Sequence, residues 1–133
     1  MDRQRSRLSE KNPYWIPEHR YYELKHFCLQ YPYWQEMYRL YDGFAKKTIT
    51  QYPRHTKFKI SPTENAAVEA VFYKEKMEQV ERCCKEAADD LWEYLFKGVT
   101  EGIGYNYLHV PCCKDVYYYI YRKFFWKLSH TRK

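Results

Sequence analysis

Three side chains that can donate hydrogen bonds recur at one-turn spacing near the C-terminus: Lys114, Tyr118 and Arg122. Positions i, i+4 and i+8 of an α-helix lie along one side, and such a row can lie in the major groove of a duplex. Lysine and arginine donate to guanine edges or phosphates, and a tyrosine hydroxyl bonds to either. Lys123 and Lys127 leave this row and suit phosphate contacts. The pattern therefore predicts that these five residues bind nucleic acid.

Basic charge is concentrated in the same part of the chain. Residues 103–133 carry six basic side chains and one acidic one, whereas residues 12–102 carry 13 basic and 14 acidic ones. A polyanion is drawn to such an end, because lysine and arginine neutralise phosphates and release counterions. Two simpler interpretations stay open. The charge can serve solubility alone, and the basic, aromatic helix can be purely structural, since its cations are spread around the helix.

The row is predicted to lie on the second helix of a C-terminal helix-turn-helix. Gly98 is typical of a helix end and Thr100 of the start of the next helix. A break at Val110-Pro111 precedes a second helix that begins at about Cys113. The apolar arc of the second helix is expected to pack on the first helix. The arc consists of Val116, Tyr117, Ile120, Phe124 and Leu128. The residues of the first helix that it would contact are Ile103, Tyr107 and Leu108.

A long amphipathic helix is predicted before it, over residues 61–97. Its start has the signature of a capping box, because Ser61 can cap the helix and Glu64 follows three residues later. Apolar residues then recur alternately every four and three positions, as in a coiled-coil seam. We expect an unbroken helix that packs within its own chain, with the pairing of two chains as the alternative. The partner or dimer seam would consist of Ala70, Tyr73, Met77, Val80 and Cys84.

Taken together, these elements predict an all-α protein: a helical bundle with one long central helix and a C-terminal helix-turn-helix. Residues 1–12 are expected to form a basic flexible arm, and residues 13–133 a single helical domain. Within that domain we predict two aromatic-rich helices over residues 13–52, a loop over 53–60, the long helix over 61–97, and the helix-turn-helix with its basic tail over 100–133.

The tripeptide Pro-Tyr-Trp precedes each of the first two predicted helices, at residues 13–15 and again at 32–34. We interpret each copy as an aromatic wedge that sets the angle at which the following helix begins. An aromatic cage for a ligand is the alternative interpretation, but no set of polar residues surrounds either copy.

The five cysteines favour a reducing compartment, because their number is odd and four of them form vicinal pairs, at residues 83–84 and 112–113. His109 and Cys112 could supply two zinc ligands, but no second pair of ligands follows them at the usual spacing. We therefore predict no metal and no cofactor. The polar N-terminus predicts no signal peptide, and no apolar run is long enough to cross a bilayer. We therefore expect an intracellular protein without a membrane partner.

Most of the chain resembles a known family, most specifically in NPYW near the start and in VPCCKDVYY and YRKFFWKL at the end. It is similar to small phage and prophage proteins of Firmicutes related to the RinA/ArpU-like late transcriptional regulators. The resemblance implies a sigma-region-4-like helix-turn-helix with residues 114–123 as the recognition segment, acting in the cytoplasm of a bacterial host cell. One difference is the Cys112-Cys113 pair, which stands where helix-turn-helix proteins often carry a Ser or Thr cap.

Enzymatic activity is not predicted, since the chain has no glycine loop for nucleotides and no recognisable catalytic order of Cys, His and acidic residues. We expect a phage-encoded, sequence-specific DNA-binding transcriptional regulator whose partner is double-stranded DNA. The alternative is a phage inhibitor of a host defence nuclease, similar to anti-CRISPR proteins, that acts by protein–protein binding without catalysis. A transcriptional regulator would have RNA polymerase as a candidate protein partner, and an inhibitor would have a host defence effector protein. Monomer and homodimer both stay open.

Overall fold

A computed structural model describes residues 12–48 and 62–132. All regular secondary structure in these residues is helical, so the predicted all-α class is confirmed. The helices are α1 (Glu18–Leu29), α2 (Tyr31–Thr48), α3 (Pro62–Ala88), α4 (Trp92–Glu101) and α5 (Lys114–Thr131), with 3₁₀ turns at Asp89–Leu91 and Tyr105–Tyr107. The predicted loop at 53–60, the cap residue Ser61 and nearly all of the predicted N-terminal arm lie outside the described residues.

The described residues divide into two compact units, one formed by those up to residue 31 together with those from residue 79 onward, and the other by those between residues 32 and 78. In the first unit, α1 packs on α5 through aromatic rings. The hydroxyls of Tyr21 and Tyr121 are 2.6 Å apart in the buried interior, and the Tyr21 ring meets the Phe125 ring edge-on at 5.1 Å. Burial of these large rings supplies the main apolar contribution to this unit.

Arg20 of α1 joins the C-terminal end of α5. Its Nε donates to Ser129 Oγ at 3.1 Å, and its Nη2 donates to the carbonyl oxygens of Ser129 and Arg132. The last carbonyls of a helix have no partners within the helix and carry partial negative charge, so a guanidinium stabilises this end of α5.

The contact between α4 and α5 depends on Gly98, which is buried in the middle of α4. A Cβ atom at this position would lie 2.5 Å from the Tyr117 hydroxyl. The predicted helix end at Gly98 is therefore wrong, since this glycine allows close packing and does not form a turn. The helix ends instead at Glu101, where Gly102 adopts a left-handed conformation (φ +71°) and its amide donates to the Gly98 carbonyl at 3.0 Å.

The first helix expected after Gly98 is not present as a separate element. Thr100, predicted to start it, lies inside α4, where it is buried and its hydroxyl donates to the Phe96 carbonyl at 2.7 Å. Residues 102–113 form an irregular connection between α4 and α5 that is anchored by the buried side chains of Leu108 and Val110. Tyr107, predicted to pack on α5, is 79% exposed.

The long helical stretch is present and reaches Glu101, but the prediction of an unbroken helix needs correction. A 3₁₀ turn at Asp89–Leu91 divides it, and Asp89 has φ +47°, a conformation that ends a right-handed helix. In α4, after this turn, Leu95 and Val99 are buried, whereas Tyr94 is exposed.

The second unit consists of residues 32–48 of α2 and 62–78 of α3. The Tyr73 ring lies 6.1 Å from the Tyr33 ring and 6.2 Å from the Tyr41 ring, so it joins the two helices. The ammonium of Lys76 lies 5.7 Å from the centroid of the buried Trp34 ring. These aromatic and cation–π contacts hold the pair of helices together.

Candidate nucleic-acid interface

The helix predicted to bind nucleic acid begins close to the expected position. Cys113 has an extended backbone, its carbonyl accepts from the Tyr117 amide at 3.1 Å, and Lys114 is the first residue of α5. No side chain caps this end, as the absence of a Ser or Thr suggests. Asp115 lies in the first turn, where a negative charge is favourable for the helix and unfavourable for a nearby phosphate.

The predicted row of Lys114, Tyr118 and Arg122 does not form one exposed side of α5. Tyr118 is only 5% exposed, and its ring meets those of Tyr117 and Tyr121 edge-on at 5.3 and 5.5 Å. A tyrosine buried to this extent leaves little of its surface to a groove, which corrects the prediction. The physical reason is that the buried arc is wider than the apolar residues alone indicated, because tyrosines fill much of it.

The flanking members of the row are half-buried. Arg122 borders a small slot beside α1 and the chain that precedes it, and the other residues lining this slot are Tyr14, Trp15, Ile16, Tyr21, Tyr121 and Phe125. Lys114 and Lys123 are nine residues apart, which places them on opposite sides of a helix with 3.6 residues per turn. The five predicted residues therefore do not share a single surface.

A different set of side chains occupies the outward side of α5. Tyr14 meets the rings of Tyr119 and Trp126 edge-on, both at 5.5 Å between centroids, and the Trp126 ring lies 4.3 Å from that of His130. The Tyr119 hydroxyl donates to that of Tyr14 at 3.5 Å. Tyr119 is 47% exposed and His130 is exposed, while Tyr14 and Trp126 are half-buried. We call these four residues the ring cluster.

Two of the predicted lysines flank the ring cluster, one turn apart. The pKa of the Tyr119 hydroxyl is raised, mainly by its hydrogen bond with Tyr14, and the charge of Lys123 opposes that shift. Lys123 is thus an electrostatic neighbour of the ring cluster. Lys127 lies toward α3, since its charge acts on Cys83, whose pKa is raised mainly by burial. Both lysines are half-buried.

Not all of the C-terminal positive charge is on the surface. The guanidinium of Arg132 lies 3.7 Å from the centroid of the Phe27 ring, and its Nη1 donates to Gln79 Oε1 at 3.0 Å. Burial is the main cause that lowers the pKa of Arg132, and Arg20 lowers it further. Arg132 thus contributes to packing at the end of α5, and the charge available to a polyanion comes chiefly from the lysines.

The predicted partner seam on α3 is already covered within the chain. Ala70, Met77, Val80 and Cys84 are buried, and Tyr73 is half-buried. In the unit of residues 32–78, Tyr73 packs against rings of α2. These contacts favour the intramolecular interpretation of the seam over the pairing of two chains.

The cysteines are all free thiols. Burial is the main cause that raises the pKa of Cys28 and Cys84, so both are protonated at neutral pH. Cys113 is exposed and Cys112 half-buried in the connection before α5. Among residues 12–48 and 62–132, no three His, Cys, Asp or Glu side chains come together as metal ligands.

Within the described residues, none of the helices is both long and apolar enough to cross a bilayer. No protein-family model, curated protein or solved structure matches this chain. The relationship to phage regulators therefore stays a prediction from the sequence.

The ring cluster was not predicted as a site, although the sequence contained a signal. The first Pro-Tyr-Trp tripeptide was interpreted as a wedge, and its Tyr14 does pack against a helix, but that helix is α5, more than one hundred residues away in the chain. Tyr119, Trp126 and His130 follow at seven and four residues, a spacing that places them on one side of a helix. That spacing could have identified them.

Proposed function

We propose that the protein is a phage-encoded DNA-binding transcriptional regulator that contacts nucleic acid through the outward side of α5. The observation that carries this proposal is the pairing of the ring cluster with Lys123 and Lys127 on the last helix, in the part of the chain where basic residues outnumber acidic ones by six to one. Lysines supply the sequence-independent attraction to phosphates, and aromatic rings supply contact with bases or sugars.

The elements around α5 suit a helix that is held rigidly while its outer side stays open. Gly98 allows α4 to approach Tyr117, Arg20 binds the C-terminal end, and the Tyr105 hydroxyl donates to the Cys112 carbonyl in the connection. A supported helix that presents one side to a groove is the arrangement used by helix-turn-helix proteins. The resemblance to RinA/ArpU-like regulators supports the same function, with RNA polymerase as a candidate protein partner.

The lysines can be tested by the salt dependence of binding to duplex DNA. Replacing Lys123 and Lys127 with Gln removes two phosphate contacts, so affinity for random duplex should fall and the slope of log K against log salt should become shallower by about 2. Lys74→Gln with Lys97→Gln is the matched control, because both lysines are exposed and lie outside α5. Equal slopes for the two double variants, or no binding of duplex at low salt, would contradict duplex binding by this face.

A protein-binding inhibitor of a host defence nuclease is the second candidate, and an exposed apolar surface in the unit of residues 32–78 favours it. The exposed side chains are Tyr33, Leu40 and Phe44 of α2 and Val68, Val71 and Phe72 of α3. Exposed apolar groups of this kind are typical of protein interfaces. This function predicts that Leu40→Gln with Phe44→Gln abolishes inhibition of an effector nuclease, whereas the Lys123/Lys127 double variant retains it. If the protein is instead a transcriptional regulator, neither the unaltered protein nor either double variant should inhibit the nuclease.

A further inference from the structure

We propose that the ring cluster of Tyr14, Tyr119, Trp126 and His130 stacks on unpaired bases, so that the DNA held by α5 is single-stranded or locally melted. This inference rests on the proposed function in one respect, which is that nucleic acid is the partner of the outward side of α5. It adds the form of the nucleic acid and the residues that distinguish this form from an intact duplex.

The first argument is the geometry of the rings. Successive neighbours in the order Tyr119, Tyr14, Trp126 and His130 have centroids 5.5, 5.5 and 4.3 Å apart, so the rings form one continuous row. The row is open at Tyr119 and His130, which are exposed. Stacking on aromatic side chains is how single-strand-binding proteins hold bases without reading their sequence, because every base has a π-face.

The second argument is the position of the cations. On α5, Lys123 follows Tyr119 by one turn and Lys127 follows Lys123 by another. This spacing places Lys123 on the side of α5 that carries Tyr119, and its charge acts on the Tyr119 hydroxyl. A row of rings flanked by lysines matches a single strand, whose bases can turn toward the rings while its phosphates follow the lysines.

The third argument is that the outward side of α5 lacks the residue types that usually contact the base edges of a duplex. The most exposed residues of α5 are Asp115, Val116, Tyr119, His130 and Thr131, and they include no arginine, lysine, asparagine or glutamine. Those four residue types make most of the specific contacts to base edges in the major groove. In an intact duplex the faces of the bases are covered by stacking, so exposed rings gain little there.

The competing explanation is structural: the rings serve only to hold residues 12–17 against α5. The two explanations differ in one measurable way, since a structural role does not depend on whether a bound strand contains bases. A strand with abasic sites keeps all of its phosphates and loses its stacking surfaces. Comparing it with the intact strand therefore separates stacking from attraction between charges.

The experiment measures binding of three fluorescently labelled ligands by anisotropy: a mixed-sequence DNA strand of about 16 nucleotides, the same strand with abasic sites throughout, and the matching duplex. The full-length protein is compared with Tyr119→Ala, Tyr119→Phe and the control Tyr107→Ala. Tyr107 is also an exposed tyrosine, but it lies in the connection before α5. Circular dichroism shows whether each variant keeps its helical content.

We expect the intact strand to bind about tenfold or more tightly than the abasic strand, and Tyr119→Ala to weaken binding of the intact strand by about tenfold. Tyr119→Phe should retain binding because it keeps the ring, and Tyr107→Ala should bind like the unaltered protein. Equal affinity for the intact and abasic strands would overturn the inference, and so would an equal loss for Tyr119→Ala and Tyr119→Phe.

The same data separate this inference from the proposed function. Tighter binding of the duplex than of the intact strand overturns stacking and leaves a duplex-binding regulator. Tight binding of the intact strand with no binding of the duplex supports stacking and contradicts a duplex reader. No binding of any of the three ligands overturns both.

Discussion

On the inner side of α5, the rings of Tyr117, Tyr121 and Phe124 are buried, and the first two of them contact α4 and α1. On its outer side, Tyr119 is half-exposed, and the charge of Lys123 acts on its hydroxyl. Both sides are rich in tyrosine, so residue type alone does not separate packing from recognition. The difference lies in what surrounds each ring. Inner rings are enclosed by other rings, whereas the outer ones form an open row flanked by cations.

The largest expected effect separates the two sides by stability. Phe124 is fully buried, so Phe124→Ala removes its apolar contacts, leaves a cavity and should lower the free energy of unfolding by about 3–5 kcal/mol. Tyr119→Ala on the outer side should lower it much less, because that ring is half in solvent. Urea denaturation of the two variants measures both values. Similar losses would mean that the outer ring is also part of the core.

The buried thiols and the exposed thiol should differ in their effect on how stability depends on pH. The pKa of Cys28 and of Cys84 is raised above 9.0 by burial, so the folded protein keeps protons that the unfolded chain loses as the pH rises. Stability should therefore be independent of these thiols below about pH 9 and decrease above it, by up to about 1.4 kcal/mol per pH unit for each thiol. The raised pKa of the Tyr31 hydroxyl adds to the decrease above its usual 10.0.

Urea denaturation at pH 7 to 11 follows this decrease. Cys113→Ser is the control for an exposed thiol and should leave the pH profile unchanged. Cys84→Ala should be less stable at pH 7 and lose stability less steeply above pH 9. A profile for Cys84→Ala as steep as that of the unaltered protein would contradict a buried, protonated thiol at this position.

Two helical glycines, one closely packed and one beside open space, should respond differently to replacement by alanine. A Cβ at Gly98 would lie 2.5 Å from the Tyr117 hydroxyl on the inner side of α5, so Gly98→Ala should destabilise the protein by about 1–2 kcal/mol despite the better helix propensity of alanine. Gly43 lies inside α2, and among the described residues nothing beyond its chain neighbours and its own helix backbone lies within 4 Å of its Cβ position, so Gly43→Ala should stabilise the protein by about 0.5–1 kcal/mol. Thermal melts compare the pair, and changes of the same sign would contradict the close packing at Gly98.

Local signals predicted much of this fold. The apolar periodicity of α3 and α5 and the break at Val110-Pro111 correctly indicated helices and approximately where each begins. Gly98 and Thr100 were misread, since a glycine that ends a helix and one that allows close packing look alike in a sequence. The turn at Asp89, which has a positive φ, had no recognisable signal in the sequence.

The candidate site was harder to predict for a physical reason. Tyr118 and Tyr119 are neighbours of the same type, and only packing decides that the first is buried and the second exposed. The contribution of Tyr14 depends on a contact between distant parts of the chain, which periodicity does not detect. The sequence shows that Lys123 and Lys127 lie on the last helix, but only the fold shows which other side chains share their side of that helix.

The most direct test of the central claim uses the indole N–H signals of the four tryptophans in an NMR titration with a DNA strand. Trp126 belongs to the ring cluster, Trp15 borders the slot beside it, and Trp34 and Trp92 lie elsewhere. If the outward side of α5 holds the DNA, the Trp126 signal should shift most and those of Trp34 and Trp92 should not move. A titration that moves Trp34 or Trp92 and leaves Trp126 in place would contradict the account.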